Sequence, residues 1–397
     1  MSLLNSLFFF LFLFLFLFLS LSLALSLSRF LELSGDGHDE AALRVRSAAP
    51  HVLIDMQGFT LGGRPEISAR KVAPIQVNYL IFPGTSGAGF NHYIVGDQWV
   101  TPPEHQSHFV EKLAMMPNSY QINYYDRHLE KGGEVQKDEV MAVEGVGQRK
   151  GYRGFGYDVR GSDEWKALRT DSGLSADPSV FVFANFNKQD KLEPTIYSSW
   201  MQALSRTPGS VLWLLEPSHK FKGSGVVEHL REEAAARGIA RERIVFAKRV
   251  SKAEHLKRVA AADLFLDSFM YGAHSTATDA LRGGLPVLTV GGGSFARRVG
   301  ISLVENLGEG LEDILLLATG KELVDVSVWL AGTVEGGERL RDVGERLRRT
   351  WSGKLFDTEL YTRDFERLSM GMWEIKQSCR EAQSCSEDNE YMHLVLT

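Results

Sequence analysis

The chain has 397 residues, a length that at about 150 residues per domain allows two to three domains and a sizeable core. Hydrophobic residues make up 44% and charged residues 24%, which excludes wholesale disorder and a collagen-like fibre. With 44 Lys and Arg against 50 Asp and Glu the formal net charge is −6, which argues against a dedicated nucleic-acid binder. The two cysteines, Cys379 and Cys385, both lie in the C-terminal tail. No disulfide framework or cysteine-rich zinc site therefore holds the body together, a thiol poverty that fits a reducing compartment.

Residues 1–29 form a hydrophobic segment. From Leu3 to Leu27 all but Asn5, Ser6, Ser20, Ser22 and Ser26 are apolar, and a helix of that length spans the hydrocarbon layer of a bilayer at about 1.5 Å per residue. The run has no polar face, so lipid burial or removal is expected. Three readings stay open: a signal peptide, though it lacks a basic n-region; a membrane anchor flanked only by Arg29; or a translated stretch upstream of the true start. A polar spacer covers residues 30–50.

Beyond the spacer the pattern is that of an α/β protein. His51–Asp55, Val77–Phe82 and Tyr93–Val95 are strand candidates, and the charged, Gly-rich residues 131–177 read as a connection between two lobes. The signal strengthens from Ser179. Strand Val180–Ala184 precedes a helix opened by Pro194, whose Ile196, Tyr197, Trp200, Met201 and Leu204 share one face. Strands Val211–Leu215, Ile244–Ala247, Leu264–Asp267 and Pro286–Val290 then alternate with helices over Val227–Arg237 and from about Lys252, His274 and Ser294. This alternation predicts a parallel, doubly wound sheet with its ligand outside the carboxyl ends of the strands. A last helix is expected over Asp357–Trp373, with Leu360, Tyr361, Phe365, Leu368 and Met372 on one side, before a loose polar tail.

Four constellations are candidates for chemistry. The loop Asn185–Lys191 (NFNKQDK) follows a strand and carries Lys188 and Lys191, suited to an anion or to plain solvation. Lys252, His255 and Arg258 lie three residues apart on one helix face, where two cations and a histidine suit a nucleotide base and its phosphates, or simply form a basic surface. In YGAHSTATDALRGG, His274, Ser275 and Thr276 open a helix whose free N–H groups and dipole suit a pyrophosphate, with Asp279 one turn on for a ribose hydroxyl; Ser275 as a plain N-cap is the bland alternative. Pro83–Tyr93 (PGTSGAGFNHY) is a Gly-rich loop after a strand. No Asp-x-Asp occurs, so no metal is expected to hold a diphosphate, and lysine and helix dipoles would neutralise it.

Taken together, DMQGFT (Asp55–Thr60), APIQVNYLIFPGTSGA (Ala73–Ala88), EKLAMMP (Glu111–Pro117), FANFNKQDK (Phe183–Lys191), SVLWLLEP (Ser210–Pro217), Lys252 with His255, GAHSTATDALRGGLPVLT (Gly272–Thr289) and YTRDFERLSMGMWE (Tyr361–Glu374) resemble the catalytic region of protein O-linked N-acetylglucosamine transferases. These are inverting, GT-B-fold enzymes of glycosyltransferase family 41, and the similarity runs from about His51 to Lys376.

The resemblance implies two Rossmann-like lobes, a partial N-terminal acceptor-side lobe at 51–130 and a C-terminal nucleotide-sugar lobe at 178–376, with a tail at 377–397. It implies UDP-N-acetylglucosamine as donor, Ser or Thr hydroxyls of proteins as acceptors, and no cofactor. By position it assigns donor contacts to Lys188, Lys191, Lys252, His255, His274, Ser275, Thr276 and Asp279; the family usually has Gln where Lys188 stands. Lys191 and His51 fall on catalytic positions, and Pro83, Gly84, Thr85, Ser86 and Gly87 on the acceptor-side loop. The family location is cytoplasmic or nuclear; a genuine segment at 3–27 would instead imply membrane contact or secretion. Family members carry a further strand and a histidine-bearing loop ahead of the His51 strand, and most eukaryotic ones begin with tetratricopeptide repeats. Here the greasy segment and spacer stand in that place, so the first lobe is expected to lack part of its sheet. The alternatives are a SPINDLY-like O-fucosyltransferase using GDP-fucose, from which SVLWLL and the His-Ser-Thr cluster lean away, and a nucleotide-binding pseudoenzyme.

Overall fold

The computed structural model describes residues 10–12, 30–123, 125, 160–218, 223–382 and 393–396. The chain divides into two compact units, one of residues 1–120 with 359–397 and one of residues 121–358.

The first unit holds a parallel sheet in the order β1-β2-β3-β4-β5-β12, made of Phe10–Phe12 (β1), Val52–Asp55 (β2), Ile75–Asn78 (β3), Tyr93–Asp97 (β4), Lys112–Met116 (β5) and Leu394–Val395 (β12). Strands β2, β3 and β4 are buried at every position, as expected of parallel strands that are covered on both faces. Two expectations need correction. Phe10–Phe12, placed in a hydrophobic helix by the sequence, pairs as a strand in register with Val52–Ile54. A short apolar run has no periodicity to separate the two states, and here it occupies the sheet edge where a missing strand was expected; the rest of 3–27 lies outside the described residues. The spacer also contains a helix, His38–Ser47, whose Ala41, Ala42 and Val45 are buried with Leu53, Ile67 and Val72. Among the described residues no helix is long and apolar enough to cross a membrane.

The last helix runs from Thr358 to Ala382, nine residues past the expected end at Trp373. No Pro or Gly follows Trp373 to stop it, and the tail expected to be loose also supplies β12. Cys379, on this helix, is disulfide-bonded, so the low cysteine count does not by itself indicate a reducing compartment.

The second unit holds the other parallel sheet, in the order β11-β10-β9-β6-β7-β8. Its strands are Phe181–Asn185 (β6), Ser210–Leu215 (β7), Ile244–Ala247 (β8), Leu264–Leu266 (β9), Val287–Val290 (β10) and Leu316–Leu317 (β11). The intervening helices Pro194–Arg206, Val226–Ala236, Lys252–Arg258, Ser275–Arg282 and Phe295–Glu305 follow the predicted alternation. Ile196, Tyr197, Trp200, Met201 and Leu204 are all buried, as one helix face should be. Glu193 caps that helix by accepting from the N–H groups of Thr195 and Ile196, and Pro194 sits at its first turn.

Of the stretch 131–177, residues 131–159 lie outside the description; the remainder forms helix Asp163–Asp171, on which Arg169 is fully buried. Its Nη2 donates to Asp263 Oδ2 at 2.8 Å and its Nη1 to the Val180 carbonyl at 2.8 Å. Asp263 also accepts from the Val182 N–H at 2.7 Å and pairs with Arg160. The cluster fastens this helix to the amino ends of β6 and β9.

Strand order determines where a ligand can sit in the second unit. From β6 the chain winds to β7 and β8 on one side, and from β9 to β10 and β11 on the other. The reversal lies between β6 and β9, and the crevice outside the carboxyl ends of such a pair is where open α/β sheets bind ligands.

Candidate functional site

The loops after β6 and β9 meet at that crevice. Lys191 ends the 3-10 turn Gln189–Lys191, and its Nζ donates to the Gly272 carbonyl at 2.7 Å while lying 4.0 Å from the centre of the Tyr271 ring. Burial pushes the Lys191 ammonium down to about 8, against the opposing pull of Asp267 and Asp190. Tyr271 in turn stacks on His274, with ring centroids 4.9 Å apart. The His274 Nε2 meets the Ala296 carbonyl at 3.1 Å, and burial lowers its pKa to about 3. The imidazole is thus neutral, and Nε2 donates to the carbonyl.

His274 is the N-cap of helix Ser275–Arg282, and no side chain caps it. Ser275 is therefore the first helical residue and not the plain N-cap. The first internal bonds run from the Ala277 and Thr278 N–H groups to the His274 carbonyl. Among the described residues the Ser275 and Thr276 N–H groups have no backbone acceptor, so they face outward at the positive end of the helix dipole. Lys188 is exposed; its carbonyl accepts from the Lys191 N–H at 3.0 Å, and its charge lowers the Lys191 pKa.

One turn into this helix, Asp279 is buried and accepts from the Tyr125 hydroxyl at 2.8 Å; Lys252 pairs with the same carboxylate oxygen. Helix Lys252–Arg258 is held by a capping box between Ser251 and Glu254. Along it His255 packs edge-on against Phe186, with ring centroids 5.1 Å apart. Arg258, expected on the ligand face with Lys252 and His255, turns inward: it is buried, bonds the Lys248 carbonyl, and donates from Nε to His255 Nδ1 at 3.2 Å. Burial, with Arg258 and Lys252 adding to it, lowers His255 to about 3. Its ring is neutral with the proton on Nε2.

The structure thus brings Lys191, His274, Ser275 and Thr276 together at the switch point, and Lys252, His255 and Asp279 beside them on the adjoining helices. The sequence reading missed Tyr125, Phe186, Asp267 and Tyr271. Each acts through a contact distant in the chain, which spacing does not reveal.

In the first unit, the loop Pro83–Gly87 is tied to a fully buried carboxylate. Glu111 accepts from Thr85 Oγ1 at 2.6 Å, from the Ser86 N–H at 2.7 Å and from Ser86 Oγ at 2.5 Å, and Asn78 Nδ2 donates to the Gly84 carbonyl at 2.9 Å. His51 lies elsewhere, at the amino end of β2. Its ring sits edge-on to Trp373 with centroids 4.5 Å apart, and its Nδ1 is buried without a partner among the described residues. The described contacts do not bring it to the Pro83–Gly87 loop.

The profile of Glycosyl transferase family 41 matches residues 22–147 and 162–365. The chain belongs to glycosyltransferase family 41. Within that family it is 32% identical over 368 residues to the probable UDP-N-acetylglucosamine–peptide N-acetylglucosaminyltransferase SEC of Arabidopsis thaliana, covering 92% of this chain and 34% of the relative. It is 24% identical over 344 residues to the SPINDLY protein of Solanum lycopersicum, named a probable UDP-N-acetylglucosamine–peptide N-acetylglucosaminyltransferase, covering 86% of this chain and 32% of the relative. The chain spans about a third of the length of these curated relatives. Its fold is similar to that of an O-GlcNAc transferase mutant of Thermobaculum terrenum, with a TM-score of 0.69 at 22% identity, covering 91% of this chain and 59% of that one.

Proposed function

We propose that this family 41 chain is an inverting glycosyltransferase that moves N-acetylglucosamine from UDP-N-acetylglucosamine to Ser or Thr hydroxyls of proteins. The observation that carries the reading is the pairing of Lys191 with the open helix start at Ser275 and Thr276 at the switch point of the second sheet. An ammonium and outward N–H groups there suit a diphosphate. His255 offers a neutral ring for a base to stack on, and the Asp279 carboxylate, with Lys252 beside it, accepts a ribose hydroxyl. His274 orients the helix start through Ala296, and Lys188 adds positive potential from the loop. We assign the acceptor-side role to Pro83–Gly87, braced by Glu111.

In the reaction a hydroxyl oxygen attacks the anomeric carbon, the bond from that carbon to the diphosphate oxygen breaks, and UDP departs. Lys191 and the helix N–H groups meet the charge that grows on the diphosphate, a transition-state effect of about 3 kcal/mol per well-placed donor. The hydroxyl proton passes to a phosphate oxygen of the donor.

Both the SEC relative, at 32% identity, and the SPINDLY protein, at 24%, are named as probable UDP-N-acetylglucosamine-dependent transferases, which supports the N-acetylglucosamine reading over GDP-fucose. Thermal shift with UDP and with GDP tests the donor directly. UDP is expected to stabilise the chain; stabilisation by GDP alone would overturn the reading.

A further inference from the structure

Asp267 is the first residue beyond β9, at the carboxyl end of the strand where the sheet order reverses. It is 1% exposed. Its Oδ1 accepts from the Ser268 N–H and the Ala273 N–H, both at 2.7 Å, and its Oδ2 accepts from Thr289 Oγ1 at 2.8 Å. The carboxylate therefore closes the arch Ser268–Ala273 at both ends and pins it to β10. That arch carries Tyr271 and the Gly272 carbonyl, on which Lys191 rests, and it delivers the chain to His274.

The neighbouring backbone leaves room for this group and little else. A Cβ at Gly272 would stand 3.3 Å from Asp267 Oδ2, and one at Gly300 would stand 3.1 Å from it and 2.3 Å from Thr289 Oγ1.

All three donors to the carboxylate are neutral, and among the described residues no cation forms an ion pair with it. A buried carboxylate so placed is costly to keep ionised, and burial indeed raises it to about 6. An asparagine would hold the same arch without that cost. The cation its charge acts on is Lys191, which Asp267 and Asp190 push up and Lys188 pushes down. Among the described residues, Tyr271 and the neutral His274 are further titratable side chains beside Lys191.

We infer that Asp267 is a positioning residue of the diphosphate site, one that fixes the arch beneath Lys191 and keeps the Lys191 ammonium charged when a nucleotide diphosphate arrives. The inference rests on the donor-site reading given above. It extends that reading to a residue that touches no substrate and acts through Lys191 and Gly272.

The test uses the full chain, UDP as probe, and calorimetric titrations at pH 6.5 and pH 8.5 on wild type and Asp267→Asn. The amide can still accept from both N–H groups, and Thr289 can turn its hydroxyl to accept, so the arch is preserved while the charge is lost. Lys191 then loses its proton at lower pH, because the negative charge that raises it is gone. Asp267→Asn is expected to bind UDP as well as or better than wild type at pH 6.5, and roughly threefold to tenfold more weakly at pH 8.5. An equal loss at both pH values would mark Asp267 as a structural cap alone and overturn the inference, as would unchanged binding at both. If Asp267→Asn does not fold, Thr289→Val carries the test: it removes one donor to the carboxylate and is expected to weaken UDP binding about threefold or more, and unchanged affinity would overturn the inference. Absence of UDP binding by wild type at either pH would overturn the donor-site reading itself, and this inference with it.

Discussion

The Lys191 ammonium donates to the Gly272 carbonyl at 2.7 Å, so the loop after β6 is fastened to the loop after β9 across the point where strand order reverses. One lysine thus joins the two loops and brings its charge to the helix start that follows. Lys191→Leu keeps most of the apolar stem over Tyr271 and removes the charge. We expect UDP affinity to fall about tenfold to a hundredfold, the worth of a charge-assisted hydrogen bond, and kcat/KM for transfer to fall at least as far. Calorimetry and initial rates measure the two; unaltered UDP binding would remove Lys191 from the donor site.

The titration of Lys191 gives the site a pH dependence with a definite sign. Burial depresses its pKa to about 8 from the ordinary 10.5, so the ammonium is present below about pH 8 and lost above it. UDP affinity should fall as pH rises from 7 to 9.5. His255 and His274, both lowered to about 3 by burial, stay neutral throughout and add no step above pH 5. Affinity that rises across pH 7 to 9.5 would contradict this assignment.

The His255 ring is placed by two neighbours, Phe186 at its edge and Arg258 at its Nδ1. Since the ring is neutral, its proposed part in binding is stacking and not charge. His255→Phe should retain UDP affinity within about threefold, whereas His255→Ala should lose a stacking contribution of about 1–3 kcal/mol. Equal losses in the two variants would show that the imidazole acts through its nitrogen atoms instead.

The Asp263 cluster concerns stability and not the site. Arg169 is fully buried and depends on the Asp263 carboxylate, so Asp263→Ala leaves a guanidinium without its counter-charge, a change that typically costs about 3–5 kcal/mol. Arg160→Ala leaves the Arg169 pair intact and should cost less. Urea unfolding of the two variants compares them, and equal midpoints would refute the ordering.

The second sheet is legible in the sequence because its strands are short apolar runs, such as VFVFA and IVFA, separated by helices with a clear apolar face. The loops that follow β6 and β9 could be placed at the ligand end for the same reason. The first unit was harder to read. Helix His38–Ser47 buries only Ala41, Ala42 and Val45 among charged neighbours, and β5 begins with a lysine, so neither stands out by period. Phe10–Phe12 could equally have been helical until Val52–Ile54 supplied a partner. Arg258 was misplaced because helical spacing puts it on the same face as His255, while its long side chain reaches back to the Lys248 carbonyl. Tyr125, Asp267 and Glu111 matter through partners 154, 22 and 25 or more residues away, which a local pattern does not contain.

The most direct test of the central claim is transfer of labelled N-acetylglucosamine from UDP-N-acetylglucosamine to a Ser- or Thr-bearing peptide by the folded chain, with GDP-fucose assayed in parallel. The account predicts peptide labelling from UDP-N-acetylglucosamine, release of one UDP per sugar transferred, and strong loss in Lys191→Leu. Labelling from GDP-fucose alone, or no labelling by a folded chain that binds UDP, would contradict it.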